Sequence, residues 1–260
     1  MAGTATIDQH PPLSEEEIAF FYAEMAKLVT EDDTPVDNIF SERQQRLLTE
    51  TLYATTQFPG GERPFIALAN VGLFYAMHLP PLVPDVLLSL DVHLPDEVWS
   101  KHHRSYFIWM YGKPPDVVIE IVSNTEGNEL GDKRATYAQI GIPYYVAFDP
   151  NQELKEDILH VFALLVRSYV ERADNWFPEV GLGLTLWHGT YEGYTATWLR
   201  WCYEDGALVL TGAERAEQER ERAEQERERA EQERERAEQE RERADRLAAQ
   251  LRALGVEPQE

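Results

Sequence analysis

Residues 116–123 read DVVIEIVS, and this stretch decides the fold. Its apolar residues fall on both faces of an extended chain, which predicts a central strand in a sheet that is covered on both sides. Glu120 stands in the middle of the run, among five β-branched apolar neighbours. A carboxylate at a buried strand position is costly unless it is paired, hydrogen-bonded or bound to a cation. Glu120 is therefore either half of a structural ion pair or a metal ligand.

The sequence on both sides of this strand predicts further strands and a helix. Residues 130–140 have a helical pattern that stops at Gly141. The segment 93–115 reads as a long loop rich in polar and aromatic residues. Strands are predicted in FIALANVGLFYA (65–76), VPDVLLSLDV (83–92), YYVAFDP (144–150) and most of ILHVFALLVRSYVER (158–172). The expected fold class is α/β (α+β), a mixed β-sheet flanked by helices.

Two helices are expected before the first strand. Both open with a capping box, in which a Ser side chain and a Glu or Gln three residues later each satisfy a free backbone N–H of the other. The boxes are Ser14 with Glu17, for a helix over 14–29, and Ser41 with Gln44, for a helix to about residue 57. The predicted organisation is an N-terminal helix and linker (1–35), a globular domain (36–213) and a charged helix (214–260).

The charged helix is predicted from a repeat. From Glu214 the sequence ERAEQER occurs four times in tandem, without Gly, Pro or β-branched residues and with opposite charges at helical spacing. One core position of each heptad is Ala and the other is Glu, until Leu247, Leu251 and Leu254 form a short apolar seam. A solitary helix in solvent and a weak coiled coil both remain open. DNA binding by this segment is disfavoured, because its acids outnumber its bases.

Charge and composition narrow the function classes. The chain has 47 acidic and 24 basic residues, of which 16 and 11 lie from residue 214 onward, so residues 1–213 carry a net charge of −18. This negative charge argues against a surface that binds nucleic acid non-specifically, because such a surface would be basic. The single cysteine, Cys202, excludes an intrachain disulfide and a thiolate zinc cluster. The N-terminal sequence lacks signal-peptide features and no apolar run is long enough to span a membrane, so we expect a cytoplasmic protein without membrane contact.

Two aspartates are candidates to act with Glu120. Asp116 shares its strand face, but four residues of strand span about 13 Å, so the two cannot bind one ion. Asp85 opens the strand predicted at 83–92, whereas Glu120 lies near the end of its own strand. If the two strands are antiparallel, Asp85 lies beside Glu120. An Asp after a Pro at a strand start is also a common turn residue, so this reading stays open.

The basic candidates lie on the next helix and in the long loop. Lys133 follows the Glu120 strand, with Tyr137 one helical turn later on the same face. Lys133 is either a solvated surface lysine or a cation directed at the carboxylates. The best local basic cluster of the loop is Lys101, His102, His103 and Arg104. This cluster consists either of phosphate contacts or of ordinary loop residues.

The segment PPDVVIEIVSNTEGNELGDKRATYAQIGIPYYVAFDP at 114–150 resembles the signature of the Uma family of restriction-endonuclease-like proteins. VPDVLLSL at 83–90 resembles the first motif of the family, and residues 182–217 resemble the C-terminal part of its longer members. The resemblance covers most of residues 35–217. It implies membership of the PD-(D/E)XK phosphodiesterase superfamily, and therefore a restriction-endonuclease-like mixed sheet flanked by helices.

The resemblance also implies a set of catalytic residues. The Asp of the superfamily pattern maps to Asp85, and the acid of the (D/E)XK motif maps to Glu120. The lysine position two residues later holds Val122. In this family the lysine is displaced to the following helix, which matches Lys133.

The activity that the resemblance implies is hydrolysis of DNA phosphodiester bonds by an endonuclease that requires Mg²⁺ or Mn²⁺. Asp85 and Glu120 would hold the cation, with the backbone carbonyl of Ile121 as a further ligand, because Mg²⁺ prefers oxygen ligands. An acid from an early helix would be Glu42, with Gln45 as a substitute. DNA is the expected partner, and a homodimer would form through the globular domain. The alternative is a catalytically inactive protein of this fold that binds or assembles through its charged helix.

Overall fold

The computed structural model of the protein describes residues 14–25, 38–54, 58, 61, 63–95, 97, 99–100, 103–122, 129–154 and 157–253. The helices are α1 (Glu15–Met25), α2 (Ile39–Ala54), α3 (Ile108–Tyr111), α4 (Arg134–Ile140) and α5 (Gly212–Ala253). The strands are β1 (Phe65–Ala69), β2 (Leu73–Phe74), β3 (Val86–Leu90), β4 (Tyr106–Phe107), β5 (Val117–Ile121), β6 (Tyr144–Phe148), β7 (Leu159–Leu165), β8 (Ser168–Glu171), β9 (Trp176–Phe177), β10 (Leu182–Tyr191) and β11 (Tyr194–Cys202). A wide helical turn, Glu129–Lys133, leads into α4. The chain divides into two compact units, Met1–Val209 and Leu210–Glu260.

The main sheet has six strands in the order β1-β3-β5-β6-β7-β8. β5 and β6 run parallel, and the other neighbouring pairs run antiparallel, so the sheet is mixed. Every residue of β3, β5 and β6 is buried. The apolar run around Glu120 is therefore a central strand covered on both faces. The predicted fold class, a mixed sheet flanked by helices with a long C-terminal helix, is confirmed.

Two apolar layers cover the faces of this sheet. On one face, Val146 belongs to a cluster that includes Leu48 of α2 and Leu199 of β11. β11 belongs to a second, three-stranded sheet in the order β11-β10-β9. On the other face, Val118 belongs to a cluster that includes Tyr137 of α4. Because successive strand residues point to opposite faces, Glu120 lies on the same face as Val118, the face that α4 covers.

Helix α2 begins earlier than predicted and uses a different cap. The side-chain oxygen of Asn38 accepts hydrogen bonds from the backbone N–H groups of Phe40 and Ser41, both at 3.0 Å, which is the geometry of an N-cap. Ser41 and Gln44 are buried inside the helix, so the capping box predicted for them is wrong. Gln44 instead bonds both backbone groups of Leu199, at 2.8 and 2.9 Å, and so fixes α2 to β11.

The capping box predicted for α1 is confirmed. Ser14 N donates to Glu17 Oε2 at 2.8 Å, and Glu17 N donates to Ser14 Oγ at 3.3 Å. Residues 26–29, which the prediction included in this helix, lie outside the described residues. The prediction of a loop over 93–115 needs correction, because β4 and α3 lie within it. β4 pairs with β2, and the stacked rings of Phe74 and Phe107, 4.7 Å apart, explain this order in an aromatic-rich segment.

Helix α5 is continuous over the described part of the tail, as the repeat predicts. It opens with its own capping box, in which Glu214 N donates to Thr211 Oγ1 at 3.1 Å and Thr211 N donates to Glu214 Oε2 at 2.8 Å. Every side chain of residues 216–247 is exposed. Because these side chains are exposed, the stretch is stabilised by contacts within the helix, such as the charge pair of Arg220 with Glu217 at 3.0 Å. Among the residues described, no helix is long and apolar enough to cross a membrane.

Candidate active site

Asp85 and Glu120, here called the acid pair, lie side by side at one end of the main sheet. β3 and β5 are antiparallel, with Val86 opposite Ile119, and one further step in this register sets Asp85 opposite Glu120. Asp85 Oδ2 accepts a 2.6 Å hydrogen bond from the backbone N–H of Ile121, the residue after Glu120. Both acids are buried, with exposed fractions of 8% and 2%. The antiparallel pairing inferred from the sequence is therefore present.

Glu120 is held by two side chains that follow its strand, one from the helical turn Glu129–Lys133 and one from α4. The hydroxyl of Tyr137 donates to Oε1 at 2.6 Å, and the ammonium of Lys133 donates to Oε2 at 3.2 Å. The two residues are four apart, so one helix face presents both to the carboxylate. Tyr137 is fully buried, whereas the Lys133 side chain is 33% exposed. Lys133 is thus the member of this trio that also faces solvent.

The electrostatics of the site keep the tyrosine protonated. Burial raises the pKa of Tyr137 well above its ordinary value, and the neighbouring charges of Glu120 and Asp85 raise it further. The phenol therefore remains a hydrogen-bond donor at physiological pH. Since a carboxylate only accepts hydrogen bonds, the contact between Tyr137 and Glu120 has one possible direction.

Asp85 is held by a relay of two amides. The side-chain amide of Gln45, on α2, donates to Asp85 Oδ1 at 2.9 Å. The side-chain amide of Asn70 in turn donates to the side-chain oxygen of Gln45, Oε1, at 2.9 Å. Asn70 has a left-handed backbone, with φ of 52°, directly after β1. Asparagine tolerates that conformation better than most residues do. The relay therefore holds one oxygen of the Asp85 carboxylate, Oδ1, while the other oxygen, Oδ2, contacts Ile121.

The early-helix position at the acid pair belongs to Gln45, and the expectation for Glu42 is corrected. Glu42 is exposed on α2 and pairs with Arg46 at 3.1 Å. The physical reason is the helical period: Leu48 and Leu52 are fully buried, and Gln45 precedes them by three and seven residues on the same face. That apolar spacing is a signal in the sequence that favours Gln45, the expected substitute, over Glu42.

The other residues singled out from the sequence have the following positions. Val122 is buried, with its N–H donating to the Phe148 carbonyl at 2.8 Å, so the usual lysine position of the motif points into a packed interior. The side chain of Arg104 donates to the carbonyl of Trp99 at 3.1 Å, a contact within its own loop. The ring of His103 likewise contacts a loop carbonyl, that of Glu97. Lys101 and His102 lie outside the described residues.

A known protein family matches this sequence. That family, Uma2, is described as "Putative restriction endonuclease", and it matches residues 31–186, more than half of the chain. The chain belongs to the Uma2 family. The matched segment includes Asp85, Glu120 and Lys133, whereas β11 and α5 lie beyond it. No curated protein matches the chain.

Membership of Uma2 confirms the resemblance to the Uma family of the PD-(D/E)XK superfamily seen in residues 114–150. A nuclease family implies nucleic acid as the substrate class. The match itself assigns no role to single residues. Those roles must be argued from the contacts around the acid pair.

Proposed function

We propose that the protein is a metal-dependent endonuclease that hydrolyses DNA phosphodiester bonds, with Asp85, Glu120 and Lys133 as its catalytic residues. The observation that carries the proposal is the acid pair on β3 and β5 with the Lys133 ammonium 3.2 Å from Glu120. Two adjacent buried carboxylates repel each other and lose hydration, and one ammonium compensates only part of this charge. A divalent cation would supply the remaining compensation.

Mg²⁺ or Mn²⁺ suits this donor set. The described residues contain no group of three or more His, Cys, Asp or Glu side chains arranged to hold a metal. Mg²⁺ does not need one, because proteins commonly bind it through one or two carboxylates while it keeps several waters. The N–H of Ile121 points to Asp85, and the N–H and C=O of one strand residue point to the same side of the strand. That direction supports the carbonyl of Ile121 as a further oxygen ligand.

The side chains of the site divide the work of hydrolysis. When bound, the cation would stabilise the charge that builds on the phosphoryl oxygens and lower the pKa of an attacking water. Asp85 and Glu120 hold the cation. Lys133 is partly exposed, so its ammonium can turn from Glu120 to a phosphoryl oxygen or orient the water. In this way Lys133 takes the role that the buried Val122 cannot perform.

DNA is the proposed substrate in spite of the acidic chain. The net charge of −18 over residues 1–213 opposes the approach of a phosphate backbone, and this opposition is strongest at low ionic strength. We therefore expect binding to depend on divalent cations at the acid pair. The same charge favours a second candidate, a catalytically inactive protein of this fold that binds or assembles through its charged helix.

A plasmid-nicking assay on the full chain distinguishes the two candidates. Supercoiled DNA is incubated with the protein and Mg²⁺ or Mn²⁺, and parallel samples contain a chelator. The variants are Asp85→Asn and Lys133→Met, and the matched control is Glu42→Gln, which removes an exposed acid of α2. We expect nicking by the wild type and by the control, and none by the two site variants or with the chelator. Absence of nicking by the wild type with either cation would support the second candidate.

A further inference from the structure

Tyr137 contacts the proposed metal ligand Glu120 without facing solvent. Its hydroxyl donates to Oε1 at 2.6 Å, and its side chain is completely buried. Lys133 contacts the other oxygen, Oε2, and is 33% exposed. The two oxygens of Glu120 therefore differ in their partners: Oε1 contacts a completely buried residue, and Oε2 contacts a residue that is partly exposed.

The position of Tyr137 is fixed at three points. Its backbone carbonyl accepts hydrogen bonds from the N–H groups of Gly141 and Ile142, at 3.1 and 3.2 Å, where α4 ends. Its ring packs on the ring of Tyr145, with centroids 5.4 Å apart. Its hydroxyl is held by Glu120. A donor held in this way can fix the orientation of a carboxylate, as neighbouring groups commonly do for metal ligands.

We propose that Tyr137 is a positioning residue: its hydroxyl holds Oε1 of Glu120 toward the interior, so that Oε2 is presented to the cation. The inference rests on the proposed function, because it assigns Tyr137 a task at that site. Tyr137 is completely buried, so in this proposal it acts only through Glu120. The sequence places Tyr137 on the face of Lys133, but nothing in the sequence shows which of the two carboxylate oxygens each residue binds.

The test compares Tyr137→Phe with Tyr169→Phe in the full chain. Tyr169 belongs to the same aromatic cluster, and its hydroxyl donates to the carbonyl of Ile142 at 2.8 Å without contact to an acid. Each variant keeps the ring and removes one hydroxyl that forms a hydrogen bond inside the protein. Mn²⁺ binding is measured by titration calorimetry, nicking is measured against Mn²⁺ concentration, and thermal unfolding reports on the fold.

For Tyr137→Phe we expect Mn²⁺ affinity to fall about 10- to 100-fold, the range typical of lost outer contacts to metal ligands. The Mn²⁺ concentration for half-maximal nicking should rise by the same factor. Tyr169→Phe should keep the wild-type affinity for Mn²⁺. Its melting temperature should fall by about as much as that of Tyr137→Phe. A purely structural tyrosine would change the melting temperature and leave the affinity unaltered.

Two results would overturn the inference, and only the second of them also rejects the proposed function. If the wild type binds Mn²⁺, Glu120→Gln abolishes this binding and Tyr137→Phe binds as the wild type does, the positioning role is wrong while the proposed function stands. If the wild type neither binds Mn²⁺ nor nicks DNA, the proposed function fails, and the role of Tyr137 fails with it.

Discussion

Replacement of Glu120 by Gln should abolish metal-dependent nicking and leave the protein as stable as before or more stable. The carboxamide has nearly the same size as the carboxylate, so the packing of β5 between its two apolar layers is kept. The amide lacks the negative charge that would hold a divalent cation. Function and stability should therefore respond in opposite directions, as expected where an active site carries a cost in stability.

The magnitude follows from the two contacts of Glu120. Tyr137 and Lys133 donate to it at 2.6 and 3.2 Å. A hydrogen bond to a charged group contributes about 1.5–3 kcal/mol and a neutral one about 0.5–1.5 kcal/mol, so the two weakened bonds cost about 2 kcal/mol. A buried ionised carboxylate costs several kcal/mol in lost hydration, which the amide avoids. Lys133 can turn to solvent, so the free energy of unfolding should not fall.

Thermal unfolding and plasmid nicking check this prediction together. A domain of this size changes its melting temperature by about 2–4 °C per kcal/mol. The melting temperature of Glu120→Gln should equal or exceed that of the wild type, whereas the control Glu42→Gln should keep its nicking activity. A fall of more than about 8 °C would show that the carboxylate mainly stabilises the fold. Undiminished nicking would place the active site elsewhere.

Three further predictions concern the fold and the tail. Asn38→Ala removes the N-cap of α2 and should lower the free energy of unfolding by about 1 kcal/mol, measured by urea titration. The hydrogen bond from Arg63 lowers the pKa of Asp91, so this pair stabilises the fold above the ordinary Asp pKa of about 3.9 and stops doing so as the pH falls through the lowered value. Asp91→Asn should therefore lower the melting temperature at pH 7, and the difference from the wild type should vanish once the pH is below the lowered pKa of Asp91. Deletion of residues 214–260 should leave the oligomeric state unchanged by light scattering, because Ala and Glu at the heptad core positions bury little apolar area; a shift from dimer to monomer would show that the helix holds the dimer.

Local patterns in the sequence predicted the elements whose residues interact with near neighbours. The strand around Glu120 is predictable because a continuous run of β-branched apolar residues is typical of a strand in a sheet that is covered on both faces. The long tail helix was predicted because its charge pairs are three or four residues apart. The resemblance of residues 114–150 to the Uma family was likewise visible in one continuous segment. Each of these signals lies within a short stretch of chain.

The tertiary structure decided which side chains meet. Gln45 contacts Asp85 across forty residues of sequence. The apolar period of α2 indicates that Gln45 is buried, but it does not show that the buried face of the helix packs where this amide reaches Asp85. Ser41 and Gln44 fit a capping box locally, but both are buried in the folded protein, and Gln44 bonds Leu199 of β11 instead.

Sequence patterns therefore predict the central strand and the long helix, and the resemblance to the Uma family implies the three candidate catalytic residues. Their meeting depended on the antiparallel register of β3 and β5, and on a helix that sets Lys133 and Tyr137 over Glu120. Strand register and helix packing are fixed by the burial of apolar surface over the whole sheet. Because this packing involves residues from the whole sheet, only the folded structure could show that one oxygen of Glu120 contacts Tyr137 and the other contacts Lys133.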